Sequence, residues 1–208
     1  MFVVLDGVDG CGKTTQAERL TAGLRARGRE VVHVREPGTT AVGERLRALL
    51  LDPALELSAS VETLLFAAAR RQMLDEVVVP ALAAGADVVC ERFHASTFAY
   101  QGHAGALDSE AVLALLRGWS TEPAPDLELI FTLDVAESLR RRGPASDRIE
   151  AKGAAYLEAV ADGYRAYAAR PDVAAVAVDA SADPDVVAER VWAAVAPLFD
   201  VDRSRSGA

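Results

Sequence analysis

Asparagine is absent from all 208 residues, and lysine nearly so: of 22 basic residues only Lys13 and Lys152 are lysines. Without asparagine there is no Asn-Lys-x-Asp guanine-reading motif, which counts against a GTPase. Cysteine is limited to Cys11 and Cys90, at the ends of different strand-like runs, too few for a disulfide framework or a thiolate metal site. Positive charge is also scarce. A formal net charge of -9 argues against non-specific binding to nucleic acid or an anionic membrane, so an anionic ligand needs a local basic cluster. No apolar run reaches the roughly 18 residues of a membrane span. The chain opens on a strand rather than a basic leader, and a cytoplasmic location is expected.

What is present is a regular alternation. Short β-branched runs at 2–6, 31–35, 87–91, 127–133 and 173–178 read as strands. Segments of helical period at 13–27, 42–51, 59–84, 109–118, 136–142, 151–169 and 184–198 separate them. Strands this short and apolar, divided by helices, predict an α/β fold with a parallel sheet covered on both faces. The chain suits one domain, 1–201, followed by a frayed polar tail, 202–208. Ligands of such sheets bind beyond the carboxyl ends of the strands, so those ends carry the most information.

After the first strand comes Gly7-Val8-Asp9-Gly10-Cys11-Gly12-Lys13-Thr14, a full G-x-x-x-x-G-K-[ST] match with Thr15 following. Its glycines let successive N–H groups converge on phosphate oxygens, and the next helix adds its positive end. Lys13 is expected to reach the β- and γ-phosphates and Thr14 to ligate Mg²⁺, making residues 7–15 an ATP site. Cys11 fills a variable position, where a thiol reagent should block ATP binding. The second strand ends in Arg35-Glu36-Pro37-Gly38 and the third in Glu91-Arg92, followed by Thr97 and Tyr100-Gln101-Gly102. Between them Phe66 and Arg70 share a helix face, a stacking plane beside a donor fork. Taken singly, Phe66 and Tyr100 also suit ordinary core aromatics, and Arg70 a solvated helix face.

Together "REPG", "LLFAAARRQ", "AYQG" and "DRIE", in this order after the phosphate loop, resemble the thymidylate kinase family over nearly the whole chain. The resemblance implies a three-layer P-loop NTPase fold of the nucleoside monophosphate kinase type, with a five-stranded parallel sheet. It also implies transfer of phosphate from ATP to dTMP with Mg²⁺ as cofactor, in a homodimer. By the same resemblance Arg92 and Arg35 hold the acceptor phosphate, with Arg47 alongside. Phe66 stacks on thymine, Arg70 and Thr97 bond its edge, Tyr100 crowds the ribose 2′ position, and Gln101 and Glu150 complete the acceptor site. Asp9, in the phosphate loop, reads as an acid near the metal or the acceptor phosphate, and Glu91 is expected to join Thr14 at the metal.

The stretch 140–148 carries four arginines in nine residues around a Gly143-Pro144 break and resembles the family's lid, about 140–150. With glycine at position 10, catalytic charge is expected from Arg141, Arg142 and Arg148 together with Lys13, Asp9 and Arg92. Glu91, Thr39, Gly105 and Ala161 depart from the family pattern, which usually has aspartate, glycine, arginine and arginine there. Glu91-Arg92 resembles deoxynucleoside kinases, so a kinase for another pyrimidine deoxynucleotide or deoxynucleoside is the alternative. A nucleotide-binding switch without acceptor turnover is a third reading, one that gives the aromatics no role.

Overall fold

The computed structural model describes residues 1–205 apart from 106, 121, 145 and 146, with side chains up to residue 199. Its first half runs β1 (Phe2–Gly7), α1 (Lys13–Arg25), β2 (Val31–Arg35), α2 (Ala41–Leu51), α3 (Ala59–Met73), α4 (Val79–Ala83) and β3 (Asp87–Glu91). Then follow α5 (His94–Thr97), α6 (Ser109–Trp119), β4 (Leu127–Thr132), α7 (Val135–Arg142), α8 (Ala154–Ala168), β5 (Ala175–Asp179) and α9 (Pro184–Arg205). The five strands are all parallel in the order β2-β3-β1-β4-β5, with β1 central and Val4 level with both Cys90 and Glu128. This is the expected α/β architecture, and it gathers the ends of β1, β2 and β3 along one edge.

Alternation explains how the sheet is covered. Val3 and Leu5 of β1 enter one apolar cluster with Leu20, Leu116, Tyr164 and Val191, while Phe2 and Val4 enter another with Met73, Val88, Cys90 and Phe93. Among the described residues no helix is long and apolar enough to cross a membrane.

Several expected boundaries move, each for a local reason. The helix expected over 59–84 is interrupted by a π turn at Leu74–Val78, just ahead of Pro80 at the start of α4. Proline lacks the N–H and would crowd the carbonyl four residues back, and a wider turn relieves both. Residues 94–103, outside every expected element, form α5 and a second π turn, Phe98–His103. α8 is preceded by a 3₁₀ turn at Glu150–Lys152 and starts after Gly153, whose φ of 88° breaks the helix expected from 151. The last helix passes the expected end at Leu198 and continues to Arg205, through part of the stretch read as a polar tail; 206–208 lie outside the described residues.

The core also holds an acid. Glu128 on β4 is 5% exposed; its Oε1 accepts from the Tyr167 hydroxyl at 2.8 Å, and Oε2 has no partner among the described residues. Burial pushes its carboxyl up to about 7, against the Tyr167 hydrogen bond, from 4.5 in the unfolded chain. Between those values the native state alone keeps the proton. The stabilising contribution is therefore complete below about 4.5 and lost as pH rises through about 7, on the order of 3 kcal/mol. Glu128→Gln keeps an acceptor for Tyr167 without the charge, so its stability relative to the parent, from urea midpoints, should improve between pH 5 and pH 8. A pH-independent difference would refute this account.

Candidate functional site

The site begins with an acid buried in the central strand. Asp6 is fully buried and accepts from the N–H groups of Gly7 (2.8 Å), Phe93 (3.0 Å) and Ser96 (2.9 Å) and from the hydroxyls of Ser96 (2.7 Å) and Tyr164 (2.7 Å). It thereby pins the chain after β3 to the chain after β1. Gly7 turns the strand with φ 146°, where a Cβ would lie 2.6 Å from the Phe131 carbonyl oxygen. Lys13 then curls back over the loop, its Nζ donating to the carbonyl oxygens of Gly7 and Val8, both at 2.8 Å.

Gly10 has a positive φ of 75°, and a Cβ there would lie 2.6 Å from the Ser138 carbonyl oxygen and 3.1 Å from the Arg142 nitrogen. Ser138 also donates to the Asp9 carbonyl oxygen at 2.5 Å. Glycine at this position thus lets α7 dock on the loop, bringing Arg141 and Arg142 to it. An arginine here would need both a rare backbone conformation and a displaced helix.

Two neighbouring cavities occupy the strand ends. One is lined by Gly10, Gly12, Lys13, Thr14, Thr15, Arg35, Glu91 and Arg141, and suits phosphate. The other is lined by Pro37, Leu51, Phe66, Ser96, Thr97, Tyr100, Gln101, Asp147, Ile149 and Glu150. Its mixed apolar and polar lining suits a small organic ligand. Asp9, Arg47 and Arg92 line both.

The junction is strongly coupled. Arg92 pairs with Asp9, reaches the Ser96 hydroxyl at 3.2 Å, and stands over the Tyr100 ring at 5.7 Å. Tyr100 donates to Asp9 at 3.2 Å, and Lys13 Nζ lies 3.7 Å from the same carboxylate. Burial alone would raise the Asp9 carboxyl, but Arg92 first and Lys13 second hold it down at about 2. Next to it Thr14 donates to Glu91 at 2.5 Å, and His33 Nε2 lies 3.0 Å from the other Glu91 oxygen. Burial pushes the Glu91 carboxyl up, yet these hydrogen bonds outweigh it and hold it below the ordinary range.

Thr14 and Glu91 offer a hydroxyl and a carboxylate, hard oxygen donors of the kind Mg²⁺ takes beside phosphate and water. The third ligand expected, Asp9, faces cations instead, and a carboxylate so held is poorly placed to share a metal. Among the described residues no group of three or more His, Cys, Asp or Glu is gathered for a metal.

Other expected roles shift in the same way. Arg70 is neither solvated nor on a cavity wall: it is 1% exposed, donating to Glu36 at 2.7 Å, to the Phe93 carbonyl at 3.0 Å and to Thr97 at 3.1 Å. One guanidinium nitrogen, Nη1, is buried with no partner among the described residues, so the expected contact of Arg70 with a base edge has no open path from the cavity. Arg148 lines neither cavity and bonds to Glu62 at 2.5 Å, while Arg142, whose charge helps hold the Asp9 carboxyl down, donates to the Gly143 carbonyl at 3.4 Å. Residues 145 and 146 of the expected lid lie outside the described residues. The side chains of Val8 and Cys11 belong to the core, and burial pushes the Cys11 thiol up, so the expected attack by thiol reagents has no accessible thiolate to use.

Asp6, Ser96, Ser138 and Tyr164 were not singled out in the sequence. A charged residue inside the apolar run "FVVLDG" was the available signal, since a buried carboxylate requires partners. Of the departures, Thr39 has φ 69°, the conformation that favours glycine, and its hydroxyl offsets this by bonding the Arg35 N–H (2.9 Å) and carbonyl (3.0 Å). Gly105 leaves no space for a side chain, its Cβ position lying 2.2 Å from the Gln101 carbonyl oxygen.

The family model described as thymidylate kinase matches residues 5–191. The thymidylate kinase of Parasynechococcus marenigrum is 42% identical over 186 residues, 86% of this chain and 89% of the relative. That of Solidesulfovibrio magneticus is 40% identical over 209 residues, 96% of this chain and all of the relative. That of Pseudomonas putida is 45% identical over 167 residues, 79% and 81% of the two chains.

Proposed function

Because the chain belongs to the thymidylate kinase family, we propose that it moves the γ-phosphoryl group of ATP onto the phosphate of dTMP, giving ADP and dTDP. The observation that carries this reading is the junction, where the phosphate cavity and the aromatic-walled cavity share Asp9, Arg47 and Arg92. A donor on the loop and an acceptor beside Phe66 would meet there. An oxygen of the acceptor phosphate forms a bond to the γ-phosphorus as the bond from that phosphorus to the β–γ bridging oxygen breaks. The electron pair leaves with ADP.

Charge spreads over the transferring group during this step, and fixed cations stabilise it. Lys13, Arg92 and Arg141 supply them from the cavity walls. Asp9 keeps Arg92 aimed rather than accepting a proton, consistent with a carboxyl held at about 2. Mg²⁺, when bound, neutralises phosphate charge, and Thr14 and Glu91 would hold it. Phe66 stacks on the base, with Thr97 toward its edge. The tyrosine ring at 100, buried under Arg92, crowds the sugar. A homodimer in the cytoplasm completes the reading, supported by the exposed apolar side chains Val42 and Leu49 on α2 and Val61 and Leu64 on α3.

ADP release from Mg-ATP, measured with dTMP, dUMP, thymidine or no acceptor, tests the proposal. Release should depend on the acceptor and be fastest with dTMP. Equal release with and without dTMP would sink it, and preference for thymidine would favour a deoxynucleoside kinase.

A further inference from the structure

Arg148 is an arginine of the expected lid that touches no phosphate cavity, and its surroundings explain why. Its 13% exposed side chain is spread between two helices, Nη1 on Glu62 Oε1 at 2.5 Å and Nη2 on the Leu50 carbonyl oxygen at 2.8 Å. Its chain neighbours Asp147, Ile149 and Glu150 all line the acceptor cavity. Glu62, 2% exposed in the first turn of α3, also draws Lys152 to Oε1 at 3.5 Å. Its other oxygen accepts from Gln101 at 3.0 Å, and Gln101 is itself a wall of that cavity. Phe66 follows four residues later on the same helix, one turn on and on the same face.

We infer that Glu62 is the positioning residue of the acceptor site: one buried carboxylate fastens segment 147–152, the π turn bearing Gln101 and the helix bearing Phe66 into a single frame. Burial works against its charge, but Arg148, Gln101 and Lys152 hold the carboxyl below the ordinary range. A buried ion pair of this kind adds little net stability but fixes geometry, because removing one partner strands the other charge. The inference rests on reading this cavity as the dTMP site.

The test uses Glu62→Gln, Arg148→Gln and the double variant of the full chain. Each single variant should raise the KM for dTMP roughly ten- to a hundredfold, as expected for a slightly misplaced reactant. The KM for ATP should stay within a factor of about two, and the double variant should be no worse than the worse single one. Additive losses, equal movement of both KM values, or a fall in kcat at unchanged dTMP KM would overturn the inference. Amide exchange in the ligand-free protein supplies a second readout that needs no acceptor. The N–H groups of Ile149, Glu150, Ala151 and Lys152, bonded within the segment, should exchange faster in Glu62→Gln while β1 and β3 stay protected. Unchanged exchange there would overturn the frame even if the parent uses another acceptor. Acceptor-independent ADP release by the parent protein would instead count against the function alone. Should Glu62→Gln fail to fold, Arg148→Gln breaks the same pair from its more exposed side and carries both readouts.

Discussion

Replacing Lys13 with alanine is expected to lower kcat/KM by at least about a thousandfold, on the order of 4 kcal/mol of transition-state stabilisation, while the protein stays folded. The side chain is 8% exposed, and its ammonium is fixed by the Gly7 and Val8 carbonyl oxygens within reach of the phosphate cavity. Two effects combine in the variant. The charge proposed to meet the β- and γ-phosphates is lost, and the two carbonyls lose the donor that shapes the loop. The second effect costs about 1–3 kcal/mol of stability, because buried acceptors are left without a partner. For a chain of this size that lowers the thermal midpoint by roughly 2–4 °C per kcal/mol, which a melting curve resolves from unfolding. Turnover at the parent rate would remove Lys13 from the chemistry.

The contrast between Lys13 and Arg148 shows what the sequence made legible. The glycine loop, its lysine and the strand that feeds it form one contiguous pattern, so local geometry determined where Lys13 lies. β2 and β3 likewise match their expected residues: β-branched Val31, Val32 and Val34 mark the edge strand β2, and Val88-Val89-Cys90 mark β3, which is buried along its whole length. The edge strand β5 lies at 175–179 rather than 173–178, since its alanines and partly exposed positions give no clear period. Arg70 and Arg148 carried the right charge in the right motifs, but each is claimed by a carboxylate distant in sequence, Glu36 and Glu62. Spacing along the chain cannot reveal such pairings. The α3 break at Pro80 was hidden for another reason: the apolar period continues through the π turn, and only the missing N–H marks it.

Arg92→Ala should reduce kcat/KM for the acceptor by about 10³–10⁵, the range seen when an arginine that meets a transferring phosphoryl group is removed. The residue lines both cavities, and a lysine could not fill it, because one fork must meet Asp9 and Ser96 while still facing phosphate. The same substitution releases Asp9. With Arg92 gone, burial is opposed mainly by Lys13, so the Asp9 carboxyl must rise from about 2. In the parent, Asp9 contributes stability that is present above its unfolded value of 3.8 and lost as pH falls through about 2. In the variant the contribution is smaller and is exhausted at higher pH, so the stability gap between parent and variant that comes from Asp9 should shrink as pH falls from 3.8 toward 2, which unfolding midpoints measured across that range would register. Backbone strain separates from charge in a second substitution. Arg92 has φ 68°, rare for a residue with a side chain, and is kept there by its N–H bond to the Leu5 carbonyl at 3.0 Å and by the grip of Asp6 on Phe93 and Ser96. Glycine adopts that conformation freely, whereas alanine retains a penalty of roughly 1–2 kcal/mol. Arg92→Gly should therefore be as inactive as Arg92→Ala yet melt several degrees higher. Equal melting would show that β3 is followed by no strain, and a lysine variant with parent turnover would show that the fork is dispensable.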